Sequence, residues 1–529
     1  MKKRLTLFLS FFTLLILVAC LWKGGEKCYA ELCISEAEMQ EIMADRSQAS
    51  QALYKEILFN EYALIYDNRD NRFFYSLVEN SETAYNPYVK CVSAGTDVRL
   101  AIVGREITDE VIRNGEEFGL LFYTDKEYEY VKLAFTTLPL LSVEYEGELS
   151  IDEDIPAPMK LRMFDNREDA TQRIIDAAGE IHYRGRSSRY YPKKAFRFTL
   201  YTNSVGENRR ENKTALLGLR EDGDWILYAA YNDDVKVRNV FSSKIWKESS
   251  SESNSCGVDN GMEYKWTELF VNGQYWGLYA LGYPIDATQL KMTAGEYMYA
   301  KTEPGTLEKN IDPYSEGAIE PYRIRKLGVN AEESWEPLSK FYIAMRDSSD
   351  SYAAFRKITD RQNSIDLYLF LNLIQGVDHA DIRGANLTFN LYLTNKFCEG
   401  GTRQVMLYTP WDMDRTWGKG FASEGRFVTP DQNVIMETNL VHFLLEEDDE
   451  EIKEQLVQRY YELRESTWSE EHLLEILNTY EKQIFLSGAY ARDITRWPET
   501  NANVKDLSEF KKYVLERLSY MDIYIQQIK

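Results

Sequence analysis

Cysteine and histidine, the residue types that bind zinc or cross-link small domains, are scarce in this chain. Six cysteines and four histidines occur among 529 residues, and no two cysteines have the Cys-x-x-Cys spacing. Three of the cysteines lie in or beside the N-terminal apolar segment, and the other three are far apart in sequence. The sequence therefore predicts neither a zinc site nor a disulfide framework.

Positive charge is also in short supply. The chain has 62 Lys and Arg against 85 Asp and Glu, which gives a formal net charge of −23. Proteins that bind nucleic acid need a basic surface for the phosphates, so a nucleic-acid partner is not expected. Acidic runs such as EEDDEE at 446–451 are interpreted as solvated helix starts rather than metal sites.

One long apolar segment lies at the N-terminus. The basic residues of 1–4 precede an uncharged run over 5–22, an arrangement that predicts an export signal. Three alternatives remain open: a lipoprotein signal with lipid on Cys20, cleavage after Ala30, or a retained membrane anchor. In each case 1–30 is the signal or anchor, membrane contact is through this segment alone, and the remainder is extracytoplasmic.

The rest of the chain changes character along its length. Helical spacing over 34–58 followed by several strand patterns predicts a helix plus a small β-rich module over 34–140. From 141 the pattern favours a twisted antiparallel sheet, then a helix at 234–250, and mostly helices from 332 onward. We expect an α+β fold in which residues 141–529 form a β-rich N-lobe and a helix-rich C-lobe.

A polar stretch, DHADIRGAN, occupies residues 378–386. Polar clusters with a glycine are usually loops. This one contains the spacing His379-x-Asp381-x-x-x-x-Asn386, which equals the catalytic loop of protein kinases, where Asp accepts the hydroxyl proton and Asn holds a metal ion. Asp378 and His379 are rival bases, but the distance to the Asn favours Asp381.

A second acidic motif follows downstream. PWDMDRTWG at 410–418 places Asp412 and Asp414 directly after a strand pattern at 405–408. Two carboxylates two residues apart suit an oxygen-liganded Mg²⁺ ion. Alone the pair is a weak signal, but behind the Asp381 motif it occupies the position where kinases hold their metal ion.

A basic segment upstream could supply positive charge for phosphates. RGRSSRYYPKK, residues 184–194, contains five cations within eleven residues of an otherwise acidic chain. Glycine and serine allow close backbone approach to phosphate, and Lys or Arg would neutralise it. No Walker A motif or G-x-G-x-x-G motif occurs. Because side chains alternate along a strand, only one of Lys193 and Lys194 can point inward.

Taken in order, these motifs resemble the spore coat protein H (CotH) kinases, a family of atypical, secreted or surface-associated protein kinases. The resemblance extends over roughly residues 141–525 and covers most of the exported chain. It rests on five blocks that occur in the family's order: RGRSSRYYPKKAFRFTL, DWILYAAYNDDVKVRNVFSSKIW at 224–246, LFVNGQYWGLYAL at 269–281, DIRGANLTFNLYL and PWDMDRTWG.

The resemblance implies transfer of the γ-phosphoryl group of ATP, with Mg²⁺ or Mn²⁺, to a Ser or Thr hydroxyl of an extracytoplasmic protein, such as a spore-coat or surface protein. Asp381 would be the catalytic base. Asn386 and Asp412 would hold the metal ion, with Asp414 as second choice. Candidates for contact with the phosphates are Arg184, Ser187, Ser188, Lys193 and Lys194.

One departure from the family pattern supports a different function. The family hairpin usually continues as L-T-E-K-I-D, whereas this chain has LGYPID, so the acidic position is lost to Gly282 or Tyr283. The alternative is a non-catalytic surface assembly or adhesion protein. A polysaccharide-active enzyme is a third hypothesis, suggested by the 37 tyrosines and by paired acids, but no sequence pattern pairs acids across a cleft.

Overall fold

A computed structural model describes most of the chain after the N-terminal apolar run. The described residues are 27–95, 97–202, 210–302, 319, 321–328, 332–380, 390–398, 401, 403–420, 428–436, 438–500 and 504–528. They form two compact units. Unit 1 contains the described residues up to 223 together with 266–279 and 482–498, and unit 2 contains those of 224–265, 280–481 and 499 onward.

The first part of unit 1 is a β-rich region with three short helices. One sheet has the strand order β1-β8-β4-β5, and a second has the order β2-β9-β10-β11-β7-β6, with β3 paired to β11. The elements are β1 Lys27–Cys28, α1 Tyr29–Leu32, β2 Cys33–Ile34, α2 Glu36–Ala44, β3 Ser47–Gln48, β4 Tyr54–Phe59, β5 Tyr62–Ala63, β6 Ile65–Asp67, β7 Arg72–Ser76, β8 Tyr88–Ser93, β9 Arg99–Val103, α3 Asp109–Arg113, β10 Phe118–Tyr123 and β11 Glu127–Thr136.

Burial on both faces explains the most apolar strand of this region. In β10, residues 118–122 are all buried, and β9 and β11 pair with its two edges. A strand that is covered on both faces has a continuous apolar run instead of alternating polar residues. Phe118, Leu120 and Phe122 enter an aromatic-rich core with Phe59 and Phe135.

The second part of unit 1 contains a four-stranded meander, β12 to β15, in which each strand is antiparallel to the next. Strand β19, Tyr264–Val271, lies parallel to β12, with Leu140 opposite Glu268. The elements are β12 Leu140–Tyr145, β13 Ala157–Phe164, β14 Ile174–Arg184, a 3₁₀ turn Ser187–Tyr190, β15 Ala195–Tyr201, β16 Thr214–Ala215 and β17 Glu221–Asp222, with a π-helical turn Lys482–Leu486 and α11 Ala489–Arg496 from the C-terminal part of the chain.

A small core cluster combines both parts of unit 1. It contains Phe74 and Ala134 from the first part and Phe164, Phe270 and Tyr275 from the second. The aromatic rings of Phe74 and Tyr275 stack with centroids 5.1 Å apart. Residues on both sides of position 140 therefore share apolar packing, and the domain boundary placed there from the sequence stays a prediction.

Unit 2 contains most of the helices and one four-stranded antiparallel sheet of order β22-β21-β23-β24. Strands β19 and β20 contribute residues to both units. The elements are β18 Asp224–Tyr228, α4 Arg238–Ser249, β19 Tyr264–Val271, β20 Gln274–Gly282, β21 Tyr297–Lys301, β22 Tyr322–Leu327, α5 Glu336–Arg346, α6 Ala353–Ile358, α7 Arg361–Ile374, β23 Leu391–Cys398, β24 Arg403–Pro410, α8 Leu440–Glu446, α9 Glu450–Arg464, α10 Glu470–Glu481 and α12 Ser508–Ile528.

Helix α7 is the most completely buried helix leading towards the DHADIRGAN stretch. Its residues from 363 to 374 are all buried. Asp360 caps its N-terminus by accepting a hydrogen bond from the Asn363 N–H at 2.9 Å. The helix ends at Ile374, and Gln375, which follows it, adopts a left-handed conformation. Asp378 follows three residues later, so a rigid, buried element positions the start of the candidate loop.

Several sequence predictions can be compared directly with these elements. The mixed α+β class is confirmed, as are the helix within 234–250 and the hairpin at Asn272-Gly273, where both residues have positive φ. The helix predicted from the spacing over 34–58 is wrong in extent. It ends at Ala44, because the YKEILF sequence forms β4 and pairs with β8.

Two further observations concern the cysteines and the membrane. Cys256 and Cys398, which are 142 residues apart in sequence, form a disulfide within unit 2. Wide spacing in sequence hid this bond, because the fold alone brings the two residues together. Among the helices of the described residues, none combines the length and the apolar character needed to span a bilayer. The predicted signal or anchor at 5–22 lies outside the described residues.

Candidate functional site

Asn390, four residues after the DHADIRGAN stretch, connects the start of that stretch to the PWDMD segment through hydrogen bonds within unit 2. Asn390 donates its backbone N–H to the Asp378 carbonyl at 3.2 Å and accepts from the Trp411 N–H at 3.1 Å. Its side-chain amide donates to the Asp412 carbonyl at 3.3 Å. Asp378 and Asp412, which are 34 positions apart, are therefore brought together through one asparagine.

His379 strengthens the same connection. Its imidazole Nε2 lies 2.8 Å from the Trp411 carbonyl oxygen, an acceptor, so Nε2 carries the proton. The side chain is fully buried, and burial lowers the pKa of His379 to about 4. A neutral histidine that donates to a backbone carbonyl holds two segments together. It is a poor candidate for the base, in agreement with the sequence argument against it.

Three carboxylates, which we name the carboxylate cluster, lie in this part of unit 2: Asp378, Asp412 and Asp414. Burial, together with the negative charges of Asp414 and Asp412, raises the pKa of Asp378 to about 7, although Arg415 opposes the shift. The Arg415 Nε atom lies 3.5 Å from Asp378 Oδ2. Like charges that share a site in this way are characteristic of functional positions.

The backbone at Asp412 has an uncommon conformation. Its φ is +57°, in the left-handed region that non-glycine residues seldom adopt. Tyr228, the last residue of β18, is buried near the same acids. Burial raises its pKa well above the usual value, and the charges of Asp414, Asp233 and Asp412 add to that shift. The observed outlier, rather than an assumed function, is what marks Asp412 as a candidate functional residue.

Sequence reasoning did not assign a role to Asn239, which the structure places against the carboxylate cluster. The Asn239 side-chain oxygen, buried at the start of α4, accepts a hydrogen bond of 2.8 Å from the Met413 N–H. Arg238 beside it forms ion pairs with Asp233 and Asp234. Arg238 and Asn239 belong to the 224–246 block of the family resemblance. The hydrogen bond to Asn239 holds the D-x-D segment, Asp412 to Asp414, in place.

Lys419 is a second residue that motif reading missed. Its ammonium group donates to the Asn232 carbonyl and is close enough to Asp233 and Asp414 for their charges to act on it. Burial lowers the pKa of Lys419, and these two acids oppose the shift. The position, five residues after Asp414, offers a cation beside the carboxylates. The only sequence signal was a lysine between the two glycines that follow the motif.

The basic segment lies in unit 1, in the connection between β14 and β15. Arg184 ends β14 and is paired with Ala195 in the sheet. Gly185 has a φ of +100°, and a Cβ there would meet the Ser188 hydroxyl at 1.9 Å, so the tight turn requires glycine. Ser187 is exposed and Ser188 is half-buried within the 3₁₀ turn.

The two lysines of this segment have different environments, although both precede β15, so strand alternation is not the reason for the difference. Lys194 is half-buried, and its ammonium donates to the Arg189 carbonyl at 2.6 Å. Lys193 is fully buried within unit 1. Its ammonium lies 2.7 Å from Asp493 Oδ1, donates to the Leu278 carbonyl at 2.6 Å and lies 4.6 Å from the centre of the Tyr279 ring. In this arrangement the Lys193 charge is neutralised inside the protein and is enclosed away from any phosphate.

A second buried ion pair lies in the same unit. Arg492, one residue before Asp493, contacts both Glu268 oxygens at 2.6 and 2.9 Å in a two-point interaction. Tyr275 donates to the same carboxylate at 2.6 Å. We name the group Lys193, Asp493, Arg492 and Glu268 the buried-pair cluster. Both pairs lie wholly within unit 1, and their charges balance.

The structure therefore brings together some of the predicted site residues and leaves others untested. Asp381 and Asn386 lie outside the described residues, so their predicted roles stay predictions. Asp412 and Asp414 lie near Asp378. Within the described part of the chain, no group of three or more His, Cys, Asp or Glu side chains has a geometry that could hold a metal ion.

The position where the family motif has an acid is filled by buried, neutral residues. A Cβ on Gly282 would lie 2.5 Å from the Tyr264 ring and 2.8 Å from the Glu263 carbonyl, so no side chain fits there. Tyr283 is 2% exposed. The nearest downstream acid, Asp286, accepts a hydrogen bond from the Gln289 N–H at 2.7 Å. The structure therefore places no acidic side chain at positions 282 and 283, where the family motif has an acid.

Comparison with known proteins identifies one match. A family model described as CotH kinase protein matches residues 181–521, which is more than half of the chain. The match includes the basic segment, the DHADIRGAN stretch and the PWDMD segment. No curated protein matches the chain.

Proposed function

Because the chain belongs to the CotH kinase family, we propose that it transfers the γ-phosphoryl group of ATP to a Ser or Thr hydroxyl of an extracytoplasmic protein. Membership of the family supports a kinase-like activity, with ATP and a divalent metal as the general requirements. The observation that carries the proposal is the carboxylate cluster, in which burial and the charges of Asp414 and Asp412 raise the pKa of Asp378. Carboxylates held near one another in this way are expected where a cation binds.

The side-chain chemistry of Asp412 and Asp414, together with Asn386, suits a magnesium ion. Asp412 and Asp414 supply carboxylate oxygens, the ligands that Mg²⁺ prefers, and Asn386 is the proposed amide ligand. A bound Mg²⁺ ion would neutralise charge on the β- and γ-phosphates during transfer. The protein's own contribution is to hold the D-x-D segment still, through the Asn239 side chain and the Asn390 connection.

Asp381 is the proposed base that orients or deprotonates the acceptor hydroxyl. Its spacing to Asn386 is the kinase spacing, whereas Asp378 lies three residues further away. Asp378 is the rival base, because its pKa is raised to about 7 and a carboxyl with such a pKa can accept a proton near neutral pH. The two aspartates are therefore compared directly in the experiment below.

Cations for the phosphates are proposed from two places in the sequence. Lys419 lies near Asp414 within unit 2. In unit 1, Arg184, Ser187, Ser188 and Lys194 remain candidates. Lys193 is better explained by its buried pairing with Asp493 than by phosphate contact, because its ammonium is enclosed.

An extracytoplasmic location is part of the proposal. The apolar run at 5–22 supports an export signal or anchor. The disulfide between Cys256 and Cys398 supports the same location, because such bonds persist in oxidising compartments and are rare in the cytosol. The protein substrate would then be a surface or coat protein.

The test is a transfer assay with labelled ATP, Mg²⁺ and a serine-rich protein. We expect label on the protein, loss of transfer in Asp381→Asn, and substantial transfer in Asp378→Asn. Asp431→Asn, an exposed aspartate elsewhere in unit 2, is the matched control and should transfer at the parent rate. Full transfer by Asp381→Asn would refute its role, and loss in Asp378→Asn alone would move the base to that residue.

A second function, a non-catalytic surface assembly protein, is favoured by the filled acid position at Gly282 and Tyr283. It predicts that the chain binds no ATP in the presence of Mg²⁺. Equilibrium binding of a fluorescent ATP analogue separates the two functions. Saturable, Mg²⁺-dependent binding supports the kinase, and absence of binding supports the assembly protein.

A further inference from the structure

An acidic loop lies beside the basic segment in unit 1. It is the connection between β12 and β13, residues 146–156, and its sequence EGELSIDEDIP contains five acids and no Lys or Arg. The basic segment, residues 184–194, contains five cations and no acid. Two connections of the same meander therefore have opposite charge.

The meander brings these two connections to the same end of the sheet. Strand β13 is antiparallel to both β12 and β14, with Tyr145 opposite Met159 and Ala157 opposite Ile181. Strands β12 and β14 therefore both end where β13 begins. Because neighbouring strands lie about 5 Å apart, the acidic loop and the basic segment are neighbours in space.

Three contacts join the acidic loop to the basic segment. Arg189 forms an ion pair with Asp154. Its Nη1 atom also donates to the Ile151 carbonyl at 3.5 Å, and the adjacent Tyr190 donates its hydroxyl to Asp152 Oδ1 at 3.2 Å. Two carboxylates of the loop therefore accept from two consecutive side chains of the basic segment.

These contacts have the chemistry of a phosphate site. Guanidinium and hydroxyl groups are donors to phosphate, and a carboxylate presents them with the same kind of anionic oxygen. The carboxylates of the loop therefore occupy donors that a phosphate group would use. The Arg189 side chain is 13% exposed and that of Asp154 is 65% exposed, so the acid is the partner that is free to move away.

The structure of the loop allows such a movement. Leu149 is buried and anchors the loop, whereas residues 151–156 are all exposed, so they can shift without loss of core packing. An ion pair with an exposed partner contributes little free energy, and salt screens it. A ligand that brings several anionic oxygens at once can therefore displace the two carboxylates.

We propose that the acidic loop is an autoinhibitory segment. Asp152 and Asp154 occupy Arg189 and Tyr190, and the triphosphate chain of a nucleotide displaces them and binds these two donors. Arg189 is thereby assigned as a phosphate-binding residue in addition to the candidates named above. The inference rests on the proposed function, because that function makes a nucleotide the natural ligand of the basic segment.

The experiment is isothermal titration of the full chain with tripolyphosphate, a probe that has the phosphate chain of ATP without its base and ribose. The variant Asp152→Asn/Asp154→Asn removes both competing carboxylates. It should bind the probe about fivefold to tenfold more tightly than the parent at low salt, the gain expected from the loss of two exposed charge-assisted contacts. The gain should shrink as salt is added.

A matched control separates the contacts from the general charge of the loop. Glu146→Gln/Glu153→Gln removes two charges from the same loop, at exposed acids that contact no part of the basic segment among the described residues. It should bind the probe within about twofold of the parent, because salt screens exposed charges that make no contact.

A change at Arg189 identifies the donor. When Arg189→Gln is added to Asp152→Asn/Asp154→Asn, the gain should disappear, because the guanidinium released from Asp154 is the group that binds the phosphate. Arg162→Gln, at an exposed arginine of β13, is added to the same background as the control and should leave the gain intact. Thermal unfolding of all variants checks that they fold.

The outcomes decide between this inference and the proposed function. Absence of probe binding in every protein, equal gains in the two double variants, or a gain that survives Arg189→Gln would each overturn the autoinhibitory contact. The labelled-ATP assay is read separately. Tighter probe binding without transfer would refute the kinase activity and keep the autoinhibitory contact, whereas transfer without tighter probe binding would do the reverse.

Discussion

The buried-pair cluster of unit 1 and the carboxylate cluster of unit 2 are built on opposite electrostatic rules. In the first, Lys193 faces Asp493 at 2.7 Å and Arg492 faces Glu268 at 2.6 Å. In the second, burial and the charges of Asp414 and Asp412 raise the pKa of Asp378 to about 7. In the first group each cation is in direct contact with one acid, whereas in the second three acids lie near one another, with Arg415 and Lys419 beside them.

This difference separates two uses of ionisable residues that look the same in the sequence. Opposite charges buried in contact satisfy each other, and such pairs have a structural role. Like charges held together raise the free energy of the folded state, and they persist where a ligand or metal makes use of them. By this criterion we expect a structural role for Lys193, whereas Asp378, Asp412 and Asp414 are the candidates for the proposed chemistry.

The largest effect is expected from breaking the buried pair. Asp493→Ala should lower the free energy of unfolding by about 3–5 kcal/mol, because it leaves the Lys193 ammonium buried without a counter-charge. Denaturant-induced unfolding measures the change. Asp176→Ala, which removes an exposed ion pair with Arg162, is the control and should cost less than about 1 kcal/mol. Equal losses in the two variants would contradict the comparison.

A change in the carboxylate cluster should lower activity and leave stability unchanged, the reverse of the effect expected for the buried pair. Asp412→Asn should slow phosphoryl transfer by about 10²–10³-fold, the usual cost of losing one charge-stabilising group, without lowering stability. Asparagine tolerates the left-handed backbone that Asp412 adopts, so the fold should be kept. Initial rates and unfolding curves are measured together. Destabilisation with an unchanged rate would make Asp412 a structural residue.

Local patterns predicted the parts of the site that depend on neighbouring residues. The Asn272-Gly273 turn and the position of Asp412 and Asp414 after a strand both follow from short-range geometry. A turn type and a strand end need no knowledge of the tertiary fold.

Partners that are distant in sequence could not be predicted in this way. Asp493 lies 300 positions after Lys193, and Asn239 lies 174 positions before Met413. The bond between Cys256 and Cys398 spans 142 positions. Each contact exists because separate strands and helices pack together. A single sequence contains no periodicity that reports such packing.

The disulfide of unit 2 provides a structural contact whose loss should lower stability, as expected for the buried pair and not for the carboxylate cluster. Cys256→Ser should lower the free energy of unfolding by about 2–4 kcal/mol, because an open 142-residue loop gives the unfolded chain more freedom. Unfolding is measured under non-reducing conditions. Cys398→Ser and the double variant should show the same loss, since all three remove one bond. Cys91→Ser, which removes a free thiol, is the control. Additive losses would contradict the shared bond.

The smallest predicted effect tests the comparison between adjacent lysines. Lys194→Gln should change the free energy of unfolding by less than about 1 kcal/mol, because its half-buried ammonium has a backbone carbonyl as partner and solvent as substitute. If Lys194 contacts the phosphates, the KM for ATP should rise by about tenfold, the equivalent of one charge-assisted hydrogen bond. Lys193→Gln should instead unfold more easily, because it leaves the Asp493 carboxylate buried without its cation. A stable Lys193→Gln protein with a raised KM would reverse the assignment and make Lys193 the residue that binds phosphate.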